Sequence, residues 1–175
     1  MADVTETPAR RAIVYRDVVE FELPIDWKGK FESDGMGQFF DPANPRLTLR
    51  LEVRLVKPPP AKPYASVMEV ARAVFGRFSS HFEELPHEQV LCIMEPKMGN
   101  EGGRVGWLYA YPLLRRFPSG VVRWAQFVAA VEGASQLEQD LAMLDMLKAA
   151  IRRARITDRS DQVPGFWKRV LGWRI

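Results

Sequence analysis

The side chains that most often carry catalysis are rare in this chain and do not cluster. The only cysteine, Cys92, lies in the apolar run 89–94, which is typical of a strand. A reactive thiol needs an electropositive, partly exposed setting. The two histidines, His81 and His87, fall at a predicted helix end and in a turn. We therefore expect Cys92 to be a small buried hydrophobic residue rather than a nucleophile.

Three carboxylates near the end of the first predicted helix are the best candidates for acid and base chemistry. They are Glu83, Glu84 and Glu88. A catalytic pair needs two carboxyl groups in different environments, whereas a glutamate-rich helix end is ordinarily solvated. We therefore expect these carboxylates to be solvated at the end of the helix. An enzyme of unrecognised type stays as the third functional alternative.

The sequence contains none of the common cofactor motifs. No GxGxxG, GxxxxGK[ST] or GxSxG pattern occurs, and no His, Cys and carboxylate set has the spacing of metal ligands. The glycines of 34–37 fit a hairpin turn. We therefore expect no catalytic, cofactor-binding or metal-binding residues, and no cofactor.

Charge is distributed unevenly along the chain. From Arg152 onward there are seven Lys or Arg and two Asp, a net charge of +5, whereas the preceding residues carry 18 basic and 20 acidic side chains. Such asymmetry suggests that the tail meets an anionic surface or docks on its own acidic body. The slight acidity of the body argues against nucleic-acid binding.

The basic tail, residues 158–175, also contains two tryptophans. Pro164 suits the first turn of a helix, and the aromatic side chains need a surface to bury against. That surface is the protein's own body, a dimer mate, an anionic membrane or an acidic partner. The candidate contact residues are Phe166, Trp167, Lys168, Arg169, Trp173 and Arg174.

The fold class follows from periodicity. Residues 47–56 alternate strictly between leucine or valine and polar side chains, as in a strand with one wet face. Further strands are predicted at 18–23, 26–33, 38–40, 89–96, 104–116 and 121–132, with loops at 57–63 and 97–103. Since 104–116 and 121–132 are apolar on both sides, they should lie centrally, covered on both faces.

Two capped helices complete the prediction. Ser66 and Ser135 each begin a capping-box pattern, giving helices over 66–83 and 135–153. Phe78 belongs to the apolar stripe of the first. The arc of the second is wide, with Met143 and Met146 on its far side. It needs a second packing surface, either the tail or another subunit, and we expect a homodimer.

The predicted fold is therefore α+β: an antiparallel sheet of about six strands with helices packed on it, an α/β sandwich. We expect a flexible arm at 1–11, a single domain at 12–157 and the tail at 158–175. No signal peptide or membrane span is visible, and one cysteine suits a reducing compartment. We expect a cytoplasmic protein.

The order of these elements resembles the PsbP-like fold. The residues that carry the resemblance are Phe21–Trp27, with proline before the tryptophan, the strand Leu47–Val53, and Trp107 with the closing strand and helix. The family includes photosystem II extrinsic proteins, a Ran-binding import factor and bacterial single-domain relatives. The resemblance spans roughly 15–157 and implies a non-enzymatic accessory role, so we expect a binding domain that recognises another protein.

Overall fold

In the computed structural model of the chain, residues 9–32, 35–56, 66–101, 104–135 and 137–157 are described. They form eleven strands and two helices. In chain order these are β1 (Arg10–Tyr15), β2 (Val19–Pro24), β3 (Lys28–Phe31), β4 (Gly37–Asp41), β5 (Asn44–Val56), α1 (Val67–Phe75), β6 (Ser79–Leu85), β7 (Gln89–Met94), β8 (Lys97–Glu101), β9 (Arg104–Arg116), β10 (Val122–Glu132), α2 (Glu138–Arg153) and β11 (Arg155–Ile156).

The strands form two antiparallel sheets. The small sheet has the order β1-β2-β11, and the large sheet has the order β3-β4-β5-β10-β9-β7-β6, with β8 also paired to β9. The predicted α+β class is confirmed, and β9 and β10 lie centrally as expected. The number of about six strands is wrong, because the large sheet alone has eight.

The small sheet and α2 pack against the same face of the large sheet. Phe21 of β2 contacts Phe39 of β4 and Phe127 of β10 edge-on, with ring centroids 5.4 and 5.5 Å apart. The buried residues of α2 and the leucines of β5 join the same core. Burial of these apolar side chains is the main favourable contribution to folding.

The wide apolar arc of α2 packs against both sheets. Its buried residues and the half-buried Met143 and Met146 belong to the core that includes β2. Among the described residues the small sheet thus supplies the second surface that the sequence analysis assigned to the tail or a subunit. Leu137 and Leu141, predicted in the core stripe, are 40% and 45% exposed. Self-association stays a prediction.

The first helix is much shorter than predicted. It ends at Phe75, followed by Gly76, and residues Ser79–Leu85 form β6 instead of two further helical turns. The phenylalanines of this stretch fit either a helical period or strand alternation, and pairing with β7 decides for the strand. As a consequence Phe78, predicted in the core, is 50% exposed.

Both helix starts are capped by side chains. Ser66 Oγ accepts a hydrogen bond from Glu69 N at 3.2 Å, as its capping pattern predicts. The second helix begins after Leu137 rather than at Ser135, because Asp140 Oδ2 accepts from Leu137 N at 3.1 Å.

Two segments predicted without regular structure are strands. Residues 97–103 were expected to form a loop, but Lys97–Glu101 forms β8 and pairs with the start of β9. Arg10 and Arg11, assigned to the N-terminal arm, belong to β1. β8 is short and mostly polar, so hydrophobic alternation gives no signal for it.

Candidate functional site

The cross-strand register assigns side chains to the two faces of the large sheet. Val128 of β10 is paired with Arg50 of β5 on one side and with Ala110 of β9 on the other, and paired residues point to the same face. Leu49 points to the opposite face and is fully buried. Even-numbered residues of these strands therefore share one face, and odd-numbered residues face the small sheet and α2.

Helix α1 covers only one end of the even-numbered face. Its Phe75 contacts Trp124 of β10 edge-on, with ring centroids 5.2 Å apart. Trp124 Nε1 is buried and has no hydrogen-bond partner among the described residues. Helix α1 and the strands beneath it form a second hydrophobic cluster. Its buried residues are Val70, Ala71, Phe75, Val90, Cys92, Leu114 and Val122.

The remainder of this face carries no further layer within the part of the chain that the structure describes. We call it the open face. Its side chains are half-buried by their neighbours in the sheet. They are Gln38, Phe40, Thr48, Arg50, Glu52, Leu108, Ala110, Gln126, Val128 and Ala130. Five of these ten side chains are apolar, so the open face exposes part of an apolar surface between polar groups.

Two rows of paired residues cross the open face. The first row is Lys28, Phe40, Thr48, Ala130, Leu108 and Lys97, on β3, β4, β5, β10, β9 and β8. The second row is Lys30, Gln38, Arg50, Val128 and Ala110. The three lysines at the row ends are exposed. The open face thus has a mixed centre, in which Gln38, Thr48 and Arg50 lie among apolar side chains, and lysines at its margins.

Two carboxylates lie among the even-numbered residues of β5 and β10: the exposed Glu132 at the end of β10 and Glu52, which a neighbouring cation holds. Arg54 Nε and Nη2 donate to its two carboxylate oxygens at 2.8 and 2.9 Å. This hydrogen-bonded contact raises the pKa of Arg54 above its ordinary value. The bidentate geometry fixes the pair, so Glu52 adds little negative charge to the surface.

A shallow pocket of about 100 Å³ indents the open face beside Thr48 and Arg50. Arg46 at its rim donates to the carbonyl oxygens of Glu132 and Ser135, with distances between 2.8 and 3.1 Å. Ligand sites for small molecules usually enclose about 300–1,000 Å³. The pocket is therefore smaller than the sites that usually hold small molecules.

A larger cleft of about 480 Å³ lies between β2, the β6–β7 turn and the end of α2. Its polar lining holds the fold together. Arg152 donates to both oxygens of Glu83 at 2.6 and 2.7 Å, and Gln89 bonds Ala154 O at 3.1 Å and Ile156 N at 2.8 Å. Two of the side chains on its wall, Arg152 and Gln89, are therefore occupied by structural contacts.

Of the three carboxylates considered for catalysis, Glu84 and Glu88 line one cleft of about 350 Å³, and Glu83 does not line it. Glu83 lies on β6, bound to Arg152, which lowers the pKa of its carboxyl group. Glu84 is exposed on the other face of the same strand, and Glu88 lies in the β6–β7 turn with a φ of 53°. The predicted helix end does not exist, because these residues follow α1 in a hairpin.

The histidines and the cysteine are also separated. Cys92 is fully buried under α1, and burial raises the pKa of its thiol to about 12. The thiol is therefore protonated, as expected of a buried hydrophobic residue. His81 lies on β6, not at a helix end, and its Nε2 is 3.1 Å from Glu83 Oε1.

No group of three or more His, Cys, Asp and Glu side chains that could hold a metal occurs in the described ranges. Within those same ranges, neither helix has the length and apolarity needed to cross a bilayer. The six tail residues predicted as contacts, Phe166, Trp167, Lys168, Arg169, Trp173 and Arg174, lie outside the described residues.

Sequence reasoning missed the open face as a site. Alternation in β5 does predict the wet side that Thr48, Arg50 and Glu52 occupy. The apolar residues on both sides of β10 predict cover on both, but α1 reaches only Val122 and Trp124. The shortness of α1 leaves the centre of β10 uncovered, and no periodicity signals where that helix ends.

Comparison with known proteins gives fold similarity alone. No protein-family model matches the chain, and no curated protein matches it. A crystal structure from Bacteroides thetaiotaomicron has a TM-score of 0.48 and 10% identity, covering 81% of this chain. Our chain spans only 46% of that protein's length.

Two further solved structures are similar over most of their length. Cyanobacterial PsbP from Synechocystis has a TM-score of 0.40 and 11% identity, covering 90% of this chain and 98% of that one. LpqN, described as involved in cell envelope biogenesis of Mycobacterium tuberculosis, has a TM-score of 0.48 and 15% identity, covering 85% and 91%. A cyanobacterial PsbP is thus among the solved structures to which this chain is similar.

Proposed function

We propose that this chain is a non-enzymatic accessory domain that recognises another protein through the open face. The observation that carries the proposal is the unequal cover of the large sheet. One face is buried under the small sheet and α2, whereas the other has only α1 at one end among the described residues. Protein interfaces combine apolar contacts with hydrogen-bonding and charged groups, and the two rows of residues offer both.

A site-specific crosslinking experiment tests the proposal. A photoreactive benzophenone amino acid replaces Gln126 in the open face or, as a matched control, another glutamine, the exposed Gln139 on α2. Irradiation in the cells that naturally make the protein should give a discrete adduct from position 126 alone. Val128→Asp, which places a carboxylate among the apolar side chains of this face, should abolish the adduct while the melting temperature stays above the working temperature.

Equal adducts from both positions, or none from position 126, would contradict recognition through the open face. An adduct at twice the mass of the 20.0 kDa chain would identify a second copy as the partner. The mass of the adduct therefore also tests the predicted homodimer.

The alternative proposal is attachment to an anionic membrane surface through residues 158–175. It is supported by the composition of this tail and by the way the chain enters it. Thr157 N donates to Val18 O at 2.6 Å, and Arg123 Nη1 donates to Thr157 O at 2.8 Å. Sedimentation with anionic vesicles, with and without residues 158–175, tests it: binding should need the tail and weaken with salt.

A further inference from the structure

We propose that the protein recognised by the open face is acidic, with carboxylates placed around an apolar contact. This inference rests on the proposed function and names the chemistry of the partner. The margins carry Lys28 and Lys30 on one side and Lys97 on the other. Charges at an interface rim select partners of opposite sign and speed their encounter.

The distance between the lysines at the two ends of the first row requires a macromolecule as the binding partner. Lys28 and Lys97 end the first row, which crosses six strands. Neighbouring strands lie about 4.8 Å apart, so the two lysine backbones are separated by about 24 Å. A small anion can neutralise one end of the row but not both. A protein surface of ordinary interface size covers the whole row.

The side chains between the lysines favour a protein over a nucleic acid as the partner. Between the lysines the rows offer the apolar Phe40, Ala130, Leu108, Val128 and Ala110 and the polar Thr48, Gln38 and Arg50. Single-stranded nucleic acids bind on platforms of several aromatic side chains beneath a basic groove. Here Phe40 is the one aromatic side chain among these eight residues, which suits a protein partner better than stacked bases.

The chain's own tail is a poor occupant of this face. Residues 158–175 carry four basic and two acidic side chains, a net charge of the same sign as the lysines at the margins of the open face. A second copy docked face to face likewise brings lysines of the two copies together. Like charges at an interface disfavour the complex, so an acidic partner is the occupant that the charges select.

A purified-component titration tests the partner chemistry directly. The probe is a 20-residue poly-glutamate, added to isotope-labelled full-length protein at low salt, with backbone amide shifts recorded by NMR. Shifts should concentrate on β3, β4 and the centre of β5 and β10, and should fade with added salt. Poly-lysine of the same length controls for the sign of the peptide's charge and should shift none of these amide signals.

Charge reversal locates the binding. The variant Lys28→Glu with Lys30→Glu should weaken poly-glutamate binding about tenfold, because two rim cations become repulsive. The variant Arg153→Glu with Arg155→Glu makes the same change in net charge at exposed positions near the end of α2. It should weaken binding clearly less than the lysine variant does, because these two positions lie outside the contact with poly-glutamate.

Three outcomes would overturn the inference. Poly-glutamate shifts that map to the end of α2 would place the anion site elsewhere. Tighter binding of a 20-nucleotide single-stranded DNA to the same strands would make the face a nucleic-acid surface. Binding to anionic vesicles that the Lys28 and Lys30 variant abolishes would make it a membrane surface. If position 126 crosslinks a protein but poly-glutamate does not bind, the partner chemistry alone fails.

Discussion

The covered and open faces of the large sheet are made by the same strands, β5, β9 and β10, with alternate residues on each. On the covered face, Leu49 and Phe127 are completely buried. On the open face, their chain neighbours Arg50 and Val128 are half-buried. The strands alone therefore do not decide burial. What differs is the layer above them, and the open face begins where the cover of the short helix α1 ends.

The comparison predicts unequal costs for the same truncation on the two faces. Leu49→Ala should lower the free energy of unfolding by about 2–5 kcal/mol, because it leaves a cavity in a closed core. Leu108→Ala on the open face should cost about 1 kcal/mol, because only part of its apolar area is buried. Denaturant melts of both variants measure the difference. Equal costs would mean that the open face is covered within the folded chain.

On the even-numbered face, the border between the part that α1 covers and the open face lies at Trp124, which packs against Phe75. Trp124→Ala should cost about 2 kcal/mol, since the side chain is half-buried and a fully buried aromatic truncation costs about 3–5 kcal/mol. Trp124→Phe should cost less than about 1 kcal/mol, because Nε1 has no hydrogen-bond partner to lose among the described residues. A large loss in Trp124→Phe, measured by the same melts, would show that Nε1 is bonded in solution.

Local patterns in the sequence predict much of the sheet. The alternation of 47–56 lies within β5, and the paired strands 104–116 and 121–132 correspond to β9 and β10 in the centre. These segments are long, and each buries at least one regular row of side chains. Their period therefore carries the signal.

The open face itself was beyond local patterns, for two physical reasons. Its rows join residues far apart in sequence, such as Thr48 and Ala130, and pairing register depends on the whole sheet. Its extent depends on where α1 stops, and the apolar residues after Phe75 fit both a helix and a strand. Tertiary pairing of β6 with β7 decided between them.

Phe78 sharpens this point, because it lies just outside the layer that α1 provides. It is 50% exposed, with Lys97 Nζ 5.3 Å from the ring centroid. Phe78→Ala should cost less than about 1 kcal/mol, the size of an exposed cation–π contact. Phe75→Ala, which removes a ring only 7% exposed, is the control and should cost about 3 kcal/mol. Similar losses of stability in the two variants would show that Phe78 is buried in the core.

The smallest predicted effect concerns the ion pair that ties α2 to β6 on the covered side of the sheet. Arg152 lowers the pKa of Glu83 from its ordinary value of 4.5 through two hydrogen bonds. Because the folded-state pKa is depressed, the pair stabilises the protein fully above pH 4.5. That contribution is lost as the pH falls through the lowered pKa. Arg152 is 41% exposed, so solvent screening limits the contribution to less than about 1 kcal/mol.

Glu83→Gln therefore should reduce stability at pH 7 by this small amount and have a smaller effect at pH 3, where the wild-type carboxylate is increasingly protonated. Glu84→Gln, on the opposite face of the same strand, controls for the loss of one carboxylate. Thermal melts at both pH values give the difference between variants. A Glu83→Gln penalty that grows as the pH falls would mean that the ion pair does not stabilise the join between α2 and the sheet, leaving apolar packing alone to hold the covered face.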